Sequence, residues 1–123
     1  MKPMKIFITV TLISIVLFGG CKKDESKNSI KTINVTLQYN QTYQYDLGGF
    51  GDEEGASIIR QASHYEISKM DRINWVNMIY TYKPIQDYIG SDEVELKAER
   101  GSDGASPNDE ISIIIIKFAI IIK

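Results

Sequence analysis

Residue types that carry out chemistry are scarce in this chain. It holds one cysteine, Cys21, one histidine, His64, one tryptophan, Trp75, and 16 carboxylates. A serine triad needs a histidine base oriented by an acid, and no nucleophile elbow surrounds His64. As a metal ligand His64 lacks a second histidine or cysteine at ligand spacing, so it reads as a bystander. Residues 48–55 combine four glycines with Asp52, Glu53 and Glu54. A phosphate cradle of this kind opens a helix and brings a lysine, whereas this one feeds a strand-like segment. Its acids are hard oxygen ligands of the sort calcium takes, but their order departs from the alternating spacing of a calcium loop. The stretch reads as a solvated acidic loop. Carboxylate pairs for glycoside hydrolysis need a substrate cleft, and about 90 residues leave little room for one. The expectation is a chain with no enzymatic activity and no cofactor.

Cys21 is different, because of what precedes it. Lys2 and Lys5 form a short basic start, and Ile6 to Phe18 is apolar apart from Thr9, Thr11 and Ser14. Such a run rises about 20 Å as a helix, short of a hydrocarbon core of about 30 Å. A basic start, a short apolar core and small residues before a junction are the parts of an export signal. Here the small residues are Gly19 and Gly20, and the junction residue is Cys21. A lone thiol in an exported chain has no disulfide partner, and several acyl chains on one cysteine hold a membrane firmly. Phe18-Gly19-Gly20-Cys21 resembles the bacterial lipoprotein signal, with Leu17 one place earlier than the usual leucine. The resemblance implies removal of residues 1–20 and lipidation of Cys21. Lys23-Asp24-Glu25 resembles the lysine-then-acids signal that sends lipoproteins of Bacteroidetes-type bacteria to the outer face of the outer membrane. Residues 21–30 then read as a lipidated cysteine and flexible tether, and 31–123 as one domain.

Beyond the signal the chain carries 12 basic against 16 acidic residues, a formal charge of −4. A phosphate backbone needs a basic face, so a nucleic-acid partner is excluded. With one cysteine, apolar packing alone must close the core.

The elements that supply this packing are strands. Residues 31–39 alternate, with Ile33, Val35, Leu37 and Tyr39 on one face. Asn40-Gln41 is a short turn, and Tyr43, Tyr45 and Leu47 alternate again, as a hairpin or as one strand continued across a kink. Residues 57–70 are hard to read: His64 to Ile67 has strand character, Ala62-Ser63 could be a kink, and Met70 to Ile73 looks like a turn. Asn74 to Tyr82 reads as a strong strand with Val76, Met78, Tyr80 and Tyr82 inward. Trp75 then lies on the other face or at the strand's edge, where it could meet a ligand. Pro84 ends that strand. Asp92 to Arg100 puts Val94, Leu96 and Ala98 inward, and residues 111–122 form a central strand buried on much of both faces, with Ile114, Ile116, Phe118 and Ile120 in the core and Lys117 pointing out.

Tyr80-x-Tyr82-x-Pro84 followed by Tyr88-x-Gly90-x-Asp92-x-Val94 resembles the strand–loop–strand core of bacterial immunoglobulin-like and cadherin-like modules. The resemblance implies that the tyrosines pack while Gly90 and Asp92 shape the corner; the calcium motifs of such modules are not recognisable. The expected fold is all-β, a single immunoglobulin-like β-sandwich of about seven strands behind an N-terminal lipoprotein signal peptide. The expected function is a non-enzymatic binding or structural module, held to the membrane by its lipid anchor and facing the cell exterior, with a protein partner. The alternative is a glycan-binding accessory protein of a nutrient-uptake system. Cys21→Ser should move the protein from the membrane fraction to the soluble one; a variant that still sediments with membranes contradicts the anchor.

Overall fold

The computed structural model describes residues 27–101 and 110–122. The expected signal peptide, Cys21 and the Lys23-Asp24-Glu25 signal lie outside the described residues. Seven strands follow one another: β1 (Lys27–Gln38), β2 (Tyr43–Gly49), β3 (Gly55–Arg60), β4 (Tyr65–Ile73), β5 (Asn77–Pro84), β6 (Gly90–Arg100) and β7 (Glu110–Ile121). They form two sheets, one ordered β1-β7-β6-β3 and the other β2-β5-β4. This is a β-sandwich, as the alternating segments require. Its β3-β6-β7 and β2-β5-β4 neighbours follow the strand order of an immunoglobulin-like domain. β1 joins β7 in parallel, running from Lys27↔Glu110 to Gln38↔Ile121.

The core lies between the inner faces. Leu37 of β1, Val94 and Leu96 of β6, and Ile114, Ile116, Phe118 and Ile120 of β7 meet Tyr80 and Tyr82 of β5, all buried. Tyr82 stacks on Phe118 across the sheets at 3.9 Å between ring centroids, and Tyr43 meets the same ring edge-on at 5.6 Å. Such ring pairs add about 1 kcal/mol each beyond the area they bury. The inward positions expected on β6 and β7 are therefore the observed ones.

Four local expectations are corrected. β1 and β2 form neither a hairpin nor one kinked strand. They lie in different sheets, and Asn40, at φ 65°, helps carry the chain across between them. Both alternations face the same core, so the pattern could not separate the possibilities. β1 also begins at Lys27, inside the expected tether, because main-chain pairing to β7 needs no apolar side chain. Met70 to Ile73 is strand rather than turn: β4 runs through it, and the turn is Asn74-Trp75, so Val76 is exposed instead of inward. Finally, β7 is fully buried on one face only, since Ala119 and Ile121 are exposed and Ile113 and Ile115 are half-buried.

Candidate functional site

The sandwich has two ends of different character. At one end lie the connections 39–42, 61–64 and 85–89, and they are braced to each other. Asp92, buried near the start of β6, accepts hydrogen bonds from the main-chain N–H groups of Ser63 and His64, both at 2.8 Å. The Tyr82 hydroxyl donates to the same carboxylate at 2.8 Å. One side chain thus ties β6 to the β3–β4 connection and to the opposite sheet. Burial, reinforced by this bond to Asp92, raises the Tyr82 phenol above the ordinary tyrosine range. The His64 ring stacks on Tyr88 at 4.2 Å and 5°, and the Tyr88 hydroxyl donates to the Ser91 carbonyl at 2.7 Å. Ile85 N–H donates to His64 C=O, and Asp87 N–H to the Asn40 side chain, both at 3.0 Å.

Arg60, Ser63, His64, Ser91, Asp92 and Lys117 help line a hollow of about 330 Å³ beside this brace. The types resemble a catalytic set, but the hydrogen bonds do not. Asp92 holds main-chain N–H groups and a phenol rather than the His64 ring, so it positions a loop and does not orient a base. Arg60 is taken up by Glu95 at 2.6 Å and Glu93 at 3.2 Å.

The opposite end carries Trp75. Val76 N–H donates to Ile73 C=O at 3.1 Å, closing a four-residue turn within the three-residue connection between β4 and β5, where Ile73 pairs with Asn77. Asn74 and Trp75 have φ of 52° and 66°, the pair of positive values that a type I′ turn demands. Asparagine suits the first position. Tryptophan occupies the second, where glycine is favoured, and a bulky side chain there costs about 1–2 kcal/mol. Its side chain gains little burial in return, being 87% exposed. Arg72 fixes the turn from beneath, donating to the carbonyls of Trp75 at 3.2 Å, Gly51 at 3.4 Å and Glu54.

Of the residues singled out in the sequence, Trp75 is at a turn rather than on a strand, and His64 is about 36 Å of contour away at the other end of β4, counting about 3.3 Å for each residue step. The acidic loop is more structural than its composition indicates. Phe50 is buried beneath the Arg100 guanidinium, 3.8 Å from its ring centroid. The Glu54 carboxylate accepts from Gly51 N–H at 2.7 Å and Gly101 N–H at 3.0 Å. Among the described residues no group of three or more His, Cys, Asp or Glu is placed to hold a metal ion. Gly90 takes φ 145°, and Asp92 shapes its corner by holding the 61–64 connection, a partner no sequence spacing could supply.

No protein-family model matches the chain, and no curated protein matches it. Among solved structures it is similar to an endo-fucoidan hydrolase of glycoside hydrolase family 107, at 13% identity and a TM-score of 0.49, over 75% of this chain and 13% of that one. It is similar also to a cysteine protease inhibitor from Entamoeba histolytica, at 12% identity and a TM-score of 0.43, over 76% of this chain and 96% of that one. A third is the Plasmodium falciparum protein Pf12p, at 9% identity and a TM-score of 0.44, over 75% of this chain and 42% of that one. Likenesses this distant carry nothing about activity or ligand.

The turn geometry has a direct thermodynamic consequence. Trp75→Gly should raise unfolding stability by about 1 kcal/mol, read from the denaturant midpoint, because it relieves the positive φ and loses little burial. An unchanged or lowered midpoint contradicts the assigned turn.

Proposed function

We propose that this chain is a lipid-anchored, non-enzymatic binding module, exported to the cell surface, whose braced loops contact a protein partner. The observation that carries this reading is the group of exposed apolar side chains at the braced end: Tyr39, Tyr65, Ile85 and Ile89. Tyr39, Ile85 and Ile89 stand on connections, and Tyr65 opens β4 beside them, at the end that Asp92, Asn40 and the His64–Tyr88 stack hold together. Loops fixed in advance lose less conformational entropy on association, so a modest apolar surface can bind usefully. Isoleucines beside tyrosines suit a protein surface, which buries aliphatic groups in its core. Cys21 supplies the anchor in this reading, and Lys23, Asp24 and Glu25 the outward address.

A glycan partner has weaker support. Sugar rings stack on open aromatic faces. His64 and Tyr88 already cover one face of each other, and among the described residues the pocket at Trp75 is lined by Arg72 and Asn74 without a second ring.

A photoreactive residue at position 85 in living cells tests the reading. It should yield one discrete protein adduct, and the same residue at position 75 should yield none. No adduct at 85, or equal adducts at both positions, contradicts a protein partner at the braced end.

A further inference from the structure

The position where β1 begins adds something that the binding reading does not contain. Lys27 pairs with Glu110, and Glu110 pairs with Arg100. Arg100 in turn donates to the Leu47 and Gly49 carbonyls, and Gly101 N–H donates to Glu54. Glu54 and Trp75 share the Arg72 guanidinium through their carbonyls. The chain therefore enters the sandwich at the end that carries the Trp75 turn, and the braced loops are at the far end.

Six residue steps separate Cys21 from Lys27. Fully extended, they span at most about 20 Å. A cysteine acylated into a bilayer holds this end close to the headgroups, with the long axis of the strands free to stand away from them. What this end shows is the profile of an interfacial anchor. Trp75 is 87% exposed, with Val76 and Ile73 exposed beside it. Tryptophan favours the headgroup level of a membrane, where its ring is half in apolar and half in wet surroundings. The turn also holds Trp75 in a backbone conformation that costs stability, the kind of strain that is kept where a side chain must be presented.

Resting on the anchored reading above, we infer that the Ile73–Val76 turn is a membrane foot, with the Trp75 ring lying in the interfacial layer of a lipid surface. The chemistry of the surface is specified by its neighbours. Asp52 and Glu53 stand in the adjoining loop and are exposed. Acidic side chains are repelled by anionic lipid, so the surface is one of zwitterionic headgroups. The foot adds a second attachment to the acylated cysteine and sets the orientation of the sandwich, turning the braced loops outward.

Trp75 is the only tryptophan in the chain, so its fluorescence reports this turn alone. The full-length chain is produced in a bacterium that processes lipoproteins, purified from membranes and reconstituted in vesicles of phosphatidylcholine and phosphatidylethanolamine. The mass of the N-terminal peptide reports acylation of Cys21. The Trp75 emission should shift to the blue and be quenched by headgroup-proximal spin-labelled lipid, while acrylamide quenching falls about threefold relative to the soluble Cys21→Ser chain. An acylated chain whose Trp75 stays as open to acrylamide as in solution overturns the foot and leaves the anchor standing. That is also the result if Trp75 serves a protein or sugar partner. A chain with no acyl mass overturns the anchor, and the foot with it.

Discussion

The parallel pairing of β1 on β7 is the constraint on which the rest of the molecule depends. It makes β7 a central strand, so the isoleucine-rich segment that would be hazardous at an edge is covered on both sides by backbone partners. It also sets polarity. A β1 paired antiparallel to β7 would bring the preceding chain in at the braced end. The parallel register instead starts β1 beside the Trp75 turn and leaves the three braced connections at the other end.

Within that frame, two contacts between the sheets align the halves. Tyr82 stacks its ring on Phe118 and gives its hydroxyl proton to Asp92, so one residue of β5 packs against β7 and hydrogen-bonds to β6. Asp92 then passes this alignment to the 61–64 connection through two main-chain hydrogen bonds. A buried carboxylate is costly unless its oxygens are satisfied, and here the same bonds that satisfy it organise the loop. Buried ring, carboxylate and loop form one unit.

Much of the fold was legible because its core strands announce themselves by alternation. Val94, Leu96 and Ala98 on β6, and Ile114, Ile116, Phe118 and Ile120 on β7, are buried as their spacing indicates. What alternation cannot convey is which sheet a strand joins, since β1 and β2 show the same inward face from opposite layers. The Trp75 turn was hidden for a different reason. Asn74 is a turn residue, but a tryptophan in the glycine position of a type I′ turn carries strand propensity and disguises the bend. The role of Asp92 was legible in kind, as a residue that shapes the corner. Its partners at Ser63 and His64 are about 30 residues away and emerge only from the sheet order. The foot was not legible at all, because it depends on Lys27 and Trp75 sharing one end.

The central claim is this polarity with respect to a membrane. It is tested most directly by energy transfer from probes at positions 75 and 87 to an acceptor at the surface of vesicles carrying the acylated chain. The 12 residues of β1 span about 40 Å at about 3.3 Å each. The account predicts a probe at 75 within the headgroup layer and a probe at 87 roughly 40 Å above it. Position 87 lying as near the surface as position 75, or nearer, would contradict it.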